Sequence, residues 1–182
     1  MYTTIGFLEL NSIAKGIEAA DAILKTAATE LIFARAGCPG KYYILFTGEV
    51  AAVKSSIEAG LAIGGHHTVD SCVIPRVHQQ VIKAINAAVE PFETNAIGVM
   101  EFYSVTAAVY AADAAVKAAE VNLIDVRLGT GIGGKSFVVL TGEVAAVSEA
   151  VKCGVNTPNA EGMTVSQVVI PNPRPEIFES LM

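Results

Sequence analysis

The chain repeats itself, and that property narrows its possible folds more than any other. Residues 5–37, "IGFLELNSIAKGIEAADAILKTAATELIFARAG", laid over residues 97–129, "IGVMEFYSVTAAVYAADAAVKAAEVNLIDVRLG", agree at 14 of 33 positions with a constant offset of 92. Past a loop of different length the agreement resumes. "KYYILFTGEVAAV" at 41–53 meets "KSFVVLTGEVAAV" at 135–147, and "VIPRVH" at 73–78 meets "VIPNPR" at 169–174. Whatever the first copy folds into, the second must fold into as well. The joint falls near "VEPFETNA" (89–96) and divides the 182 residues into domains 1–92 and 93–182.

Within each copy the apolar period switches between two and about 3.6. "IGFLEL" alternates as a strand; Ser12 can cap a helix on which Ile13, Ile17, Ala20, Ile23 and Leu24 recur at helical spacing. "ELIFARAG" and "KYYILFTG" are two further strands, joined by a short Cys-Pro-Gly turn into a hairpin. A second helix begins at "GEVAAVKSSIEAG", with Glu49 expected in its first turn, where a carboxylate suits the helix dipole. "VDSCVIPRV" supplies a fourth strand and "HQQVIKAINA" a closing helix. The order β-α-β-β-α-β is the ferredoxin-like split βαβ pattern of an α+β protein, shared by many unrelated functions.

Composition removes several function classes. The chain is 52% hydrophobic with a mean hydropathy of +0.50, yet charged residues and glycines interrupt every apolar run before the ~18 residues a membrane span needs. Surplus apolar surface on a chain this small points to subunit contacts, so an obligate oligomer is expected. "MYTTIGFLEL" has no basic start, apolar core or cleavage site of an export signal, which predicts a cytoplasmic protein. With a net charge of -6 and 12 scattered lysines and arginines, no surface suits nucleic acid. Cys38, Cys72 and Cys153 are an odd set without CxxC spacing, against both a disulfide framework and a zinc site within one chain.

The combination "IGFLEL…AADAILKTA…GKYYILFTGEVAAV…VIPRVH", repeated as "IGVMEF…AADAAVKAA…GKSFVVLTGEVAAV…VIPNPR", resembles the bacterial microcompartment shell-protein domain in its plain, non-permuted strand order. Two fused copies resemble the tandem-domain shell proteins, in which three chains build a pseudohexameric homotrimer. The "CPGK" loop resembles that of the iron–sulfur-binding tandem shell proteins of propanediol-utilisation compartments. The resemblance implies that the hairpin tips line a central pore, here Gly37, Pro39 and Gly40 in one repeat and Thr130, Gly131, Ile132 and Gly133 in the other. It implies that Cys38, recurring three times around the axis, ligates one [4Fe-4S] cluster per trimer for electron transfer or cluster delivery. A cubane has a threefold axis, so three symmetry-related thiolates can hold three of its irons. A bare thiol lining a gated metabolite pore, or a softer site for another metal such as zinc, stay open beside that reading. Lys25, Lys117 and Arg76 are the implied tile-edge contacts; the second copy's equivalent of Arg76 is Asn172, with Arg174 close by. The implied partners are the chain itself, other shell proteins and lumen redox enzymes.

The remaining candidates read more plainly. Cys72 and Cys153 suit buried packing, His66 and His67 a solvated loop with divergent rings, and His78 an interface. "GTGIGG" joins two strands rather than opening a helix, so it is no nucleotide loop. Asp21 with Lys25 and Asp113 with Lys117 are i,i+4 pairs, while Glu9 and Glu101 occupy matching strand positions. No nucleophile, base and orienter recur together, so an enzyme is not expected. From another class, a trimeric small-molecule sensor on ferredoxin-like domains would carry the same pattern.

Overall fold

The computed structural model describes residues 4–89 and 95–181. The first alternating stretch forms β1 (Thr4–Leu10), buried along its whole length. Ser12 turns the chain: its hydroxyl accepts the backbone N–H of Lys15, satisfying one of the free donors that begin α1 (Ile13–Thr26). β2 (Thr29–Gly37) and β3 (Lys41–Gly48) make the hairpin, and α2 (Val50–Gly64) and β4 (Thr68–Pro75) complete the copy. Glu49 stands one position earlier than expected, as the extended residue before α2, and makes no side-chain cap.

After α3 (Gln79–Ile85) the plan recurs as β5 (Ala96–Phe102), α4 (Val105–Ala118), β6 (Asn122–Leu128), β7 (Ser136–Gly142), α5 (Val144–Val155) and β8 (Thr164–Ile170), with α6 (Pro175–Leu181) last. Ser104 caps α4 as Ser12 caps α1. The sheets are ordered β2-β3-β1-β4 and β6-β7-β5-β8 with every neighbouring pair antiparallel. That is the split βαβ arrangement predicted from the element order. Even the irregularities are duplicated: the register shifts between Leu31 and Phe33 in one hairpin and between Leu123 and Asp125 in the other.

The chain divides into two compact units, Met1–Val77 and His78–Met182. In the first, Leu8 and Leu10 of β1 and Ile44 and Phe46 of β3 face Ala19, Ala20 and Ile23 of α1 and Val53 and Ile57 of α2, all buried. In the second, Phe178 of α6 packs with Ile97, Ile124 and Val139 on the sheet. α3 lies in the second unit, although it follows the first repeat and was expected to close it. Its apolar face, Val81, Ile82, Ala84 and Ile85, is buried, and hydrogen bonds tie it to β6 and to the residue before β6. Gln80 Oε1 accepts the Leu123 backbone N–H at 2.8 Å, and Gln80 Nε2 donates to the Val121 carbonyl at 3.4 Å. The joint expected at 89–96 lies mostly outside the described residues.

Candidate functional site

Gly37 pairs with Lys41 across the first hairpin, and Cys38, Pro39 and Gly40 turn between them. The Gly40 N–H donates to the Gly37 carbonyl at 2.9 Å, Gly40 takes a φ of 88°, and the Cys38–Pro39 bond is cis. The Cys38 thiol is free and half-exposed at the tip. Beneath it the Tyr43 hydroxyl donates to the Cys38 carbonyl at 3.1 Å. The same ring abuts Gly37, where a Cβ would fall 2.1 Å from a ring carbon. Gly37 is therefore required by its own chain, for close approach of an aromatic ring. Burial, then Glu9, then Cys38 push the Tyr43 phenol far above its ordinary value, so it remains a protonated donor.

Glu9 is buried beside Tyr43 in the strand register. Its Oε1 accepts from Lys41 Nζ at 2.5 Å, and its Oε2 has no hydrogen-bond partner among the described residues. Burial raises its carboxyl above the usual range, Asp70 adds to that, and Lys41 opposes both. The second repeat keeps the ion pair, Glu101 with Lys135 at 2.5 Å, but puts Phe137 where the first has Tyr43. Its hairpin tip is longer and rich in glycine: Gly129, Gly131, Gly133 and Gly134 all take positive φ. Thr130, Gly131 and Gly133 are exposed and Ile132 half-buried. The two tips are thus chemically unlike on matching strands. One is short, braced by a phenol and armed with a thiol; the other has neither group.

The edge candidates also differ between copies. Lys25 and Asp21 pair at 2.6 Å with both side chains largely exposed. Lys117 pairs with Asp113 at 2.5 Å, and the other carboxylate oxygen accepts the His78 backbone N–H at 2.8 Å, which anchors that pair to the start of α3. Arg76 is exposed at the end of β4 with a φ of 50°. His78 caps α3 through Nδ1. His66 and His67 do not diverge: their rings lie 4.0 Å apart, held by His67 Nδ1 against Asn11 Oδ1 at 2.9 Å. Cys72 is buried as expected, and burial raises its thiol strongly. Cys153 is half-exposed instead, its thiol donating to Glu149 at 3.3 Å, because it falls beside the buried stripe of Val147, Val151 and Gly154.

Among the described residues no three His, Cys, Asp or Glu side chains gather to hold a metal ion. A groove between α5 and β8, lined among others by Val151, Val155 and Gln167, contains a single ionisable side chain, Lys152. The sequence reading missed the Tyr43 brace and the Glu9–Lys41 pair. The signal for the pair was present, as a carboxylate in each otherwise apolar first strand and a lysine opening each third strand.

A family model described as the BMC domain matches residues 4–77 and again 96–173. The chain is 40% identical over 182 residues to the bacterial microcompartment shell protein PduT of Citrobacter freundii, covering 100% of this chain and 99% of that one. The shell protein PduA of the same organism is 34% identical over 90 residues, which take up 49% of this chain and 94% of PduA; one repeat thus spans nearly all of it. The crystal structure of a microcompartments protein from Desulfitobacterium hafniense DCB superposes with a TM-score of 0.91 at 46% identity, covering 98% of this chain and 99% of that one. No helix among the described residues is long and apolar enough to cross a membrane.

Proposed function

The chain belongs to the BMC-domain family of bacterial microcompartment shell proteins, and from that premise we propose that it is a homotrimeric, pseudohexagonal tile in the wall of such a compartment in the cytoplasm. It meets other shell proteins edge to edge, with Lys25, Lys117 and Arg76 at the seams. Three chains of two repeats bring six hairpin tips around one axis, the Cys38 turn alternating with the 129–134 glycine loop. Three Cys38 thiolates then hold a [4Fe-4S] cluster there. The role is structural and redox rather than catalytic.

The supporting observation is the unlikeness of the two tips. A half-exposed thiol, a short turn and a phenol on the cysteine's own carbonyl occur in one copy, whereas the strands beneath are nearly the same in both. The donor chemistry fits the group: a free thiol is the ordinary ligand of an iron–sulfur centre, and one per chain is sufficient only where symmetry triples it. When bound, the cluster supplies one-electron transfer across the wall, or is itself the cargo handed to redox enzymes in the lumen. The chain's part is positional. Tyr43 and Gly37 hold the Cys38 backbone in a turn that leaves the cysteine half-exposed.

Anaerobic purification followed by iron and sulfide analysis and EPR should give one cluster per trimer, absent from Cys38→Ala and Cys38→Ser trimers. Iron-free wild type after reconstitution overturns the cluster and leaves a pore lined by unligated thiols. Electron microscopy separates a tile from a sensor: a tile forms sheets that Lys25→Asp weakens, whereas a sensor stays a discrete trimer.

A further inference from the structure

The repeat that carries the tip cysteine also carries a buried polar set that its twin lacks. The side chains of Glu9 and Lys41 are 1% and 20% exposed, against 32% and 43% for the matching pair, Glu101 and Lys135. Asp70 lies opposite Glu9 where Ser166 lies opposite Glu101, and on the other side Tyr43 stands where the second copy has Phe137. A deeper carboxylate, a second carboxylate beside it and a phenol thus occur together, in the copy whose hairpin ends in a thiol.

The alternation of β1 turns Leu8 and Leu10 toward α1 and α2 and Glu9 to the opposite face of the sheet. Facing Glu9 are Lys41 and Tyr43 from β3 and Asp70 from β4. One carboxylate oxygen is held by the Lys41 ammonium; the other is buried with no hydrogen-bond partner among the described residues. An oxygen so placed gains from binding a proton, and gains more when further negative charge arrives nearby. Burial already biases this carboxyl toward its neutral form, and Asp70 adds to the bias. Tyr43 spans the way to the tip: it is in register with Glu9, and its hydroxyl donates to the Cys38 carbonyl.

We infer that Glu9 is the proton partner of the redox site at Cys38, binding one proton from solvent as one electron reaches the cluster and releasing it on oxidation. This rests on the cluster reading of Cys38 and deepens it. The electron comes from an external one-electron donor, a reduced viologen in the test below. The proton forms an O–H bond on the unpartnered Glu9 oxygen, so the negative charge gained at the tip is matched by one lost beneath it. Lys41 remains an ammonium and Tyr43 a phenol throughout.

The test titrates anaerobically reconstituted, full-length protein with reduced viologen, following the cluster by EPR in steps from about pH 5 to about pH 8. The wild-type midpoint potential should fall as pH rises, by up to about 59 mV for each tenfold loss of protons. Glu9→Gln should flatten that slope, whereas Glu101→Gln should keep it. Asp70→Asn leaves Glu9 and Lys41 in place but removes the charge opposite, so its pH-dependent range should move to lower pH. Reduced-minus-oxidised infrared spectra should show a protonated-carboxyl C=O band in wild type that Glu9→Gln lacks. A pH-independent wild-type potential, a slope that survives Glu9→Gln or disappears equally in Glu101→Gln, or a missing wild-type band overturns the role of Glu9. Should Glu9→Gln fail to hold a cluster, Asp70→Asn decides, and an unmoved range overturns it. Iron-free wild type after reconstitution would instead overturn the cluster reading, and this inference with it.

Discussion

In Gly37→Ala the added methyl falls 2.1 Å from one Tyr43 ring carbon and 2.9 and 3.0 Å from two others. Tyr43 has little room to retreat, being fully buried with the Phe7 ring 6.1 Å away. Forcing extra volume into a filled site costs ~1–3 kcal/mol. Displacing the phenol also gives up its bond to the Cys38 carbonyl, and a neutral hydrogen bond contributes about 1 kcal/mol net. Together these give a loss of ~2–4 kcal/mol, and with each kcal/mol moving Tm by about 2–4 °C in a chain of this length, a fall of roughly 5–15 °C. Scanning calorimetry at one fixed protein concentration measures it, because association contributes to melting. Tyr43→Leu removes the ring that collides, so Gly37→Ala should cost much less in that background than in the wild type. A Gly37→Ala protein that melts within about 1 °C of wild type, or two changes that simply add, would refute the ring-on-glycine account.

Burial raises the Glu9 carboxyl above its ordinary 4.5; a carboxyl raised on folding stabilises the chain below the unfolded value, and that contribution disappears as pH climbs through the folded one. Wild type should therefore lose stability relative to Glu9→Gln as pH rises above 4.5 in a series of urea titrations, and parallel stabilities would disprove it. Lys117→Asp should lower Tm as well as sheet assembly, since it sets a second carboxylate beside the Asp113 that holds His78, whereas Lys25→Asp on the exposed pair should affect assembly alone; equal thermal shifts would contradict this. Iodoacetamide followed by mass spectrometry should leave Cys72 unlabelled until the chain is denatured while Cys153 is modified in the native state; early labelling of Cys72 would count against its burial.

Duplication made the fold readable, because a period-two stretch that recurs 92 residues later with the same capping serine is hard to mistake for anything but the same strand and helix. The Cys38 hairpin was readable for the same reason, its Gly and Pro turn lying between two alternating runs. The side of the fold that α3 joins was not, since that depends on long-range contacts such as the bond from the Leu123 backbone N–H to the Gln80 amide. Tyr43 was hidden too: its role needs the register that sets it opposite Arg35 and the turn that brings the Cys38 carbonyl within reach of its hydroxyl. Cys153 was misjudged by one helical position, which on a stripe only two or three residues wide separates a packed thiol from one bonded to Glu149.

Native mass spectrometry of protein kept strictly anaerobic tests the central claim most directly. The account predicts a single species of three chains carrying four iron and four sulfide, reduced to three bare chains in Cys38→Ser. A metal-free trimer after reconstitution, or a cluster that survives Cys38→Ser, would contradict it.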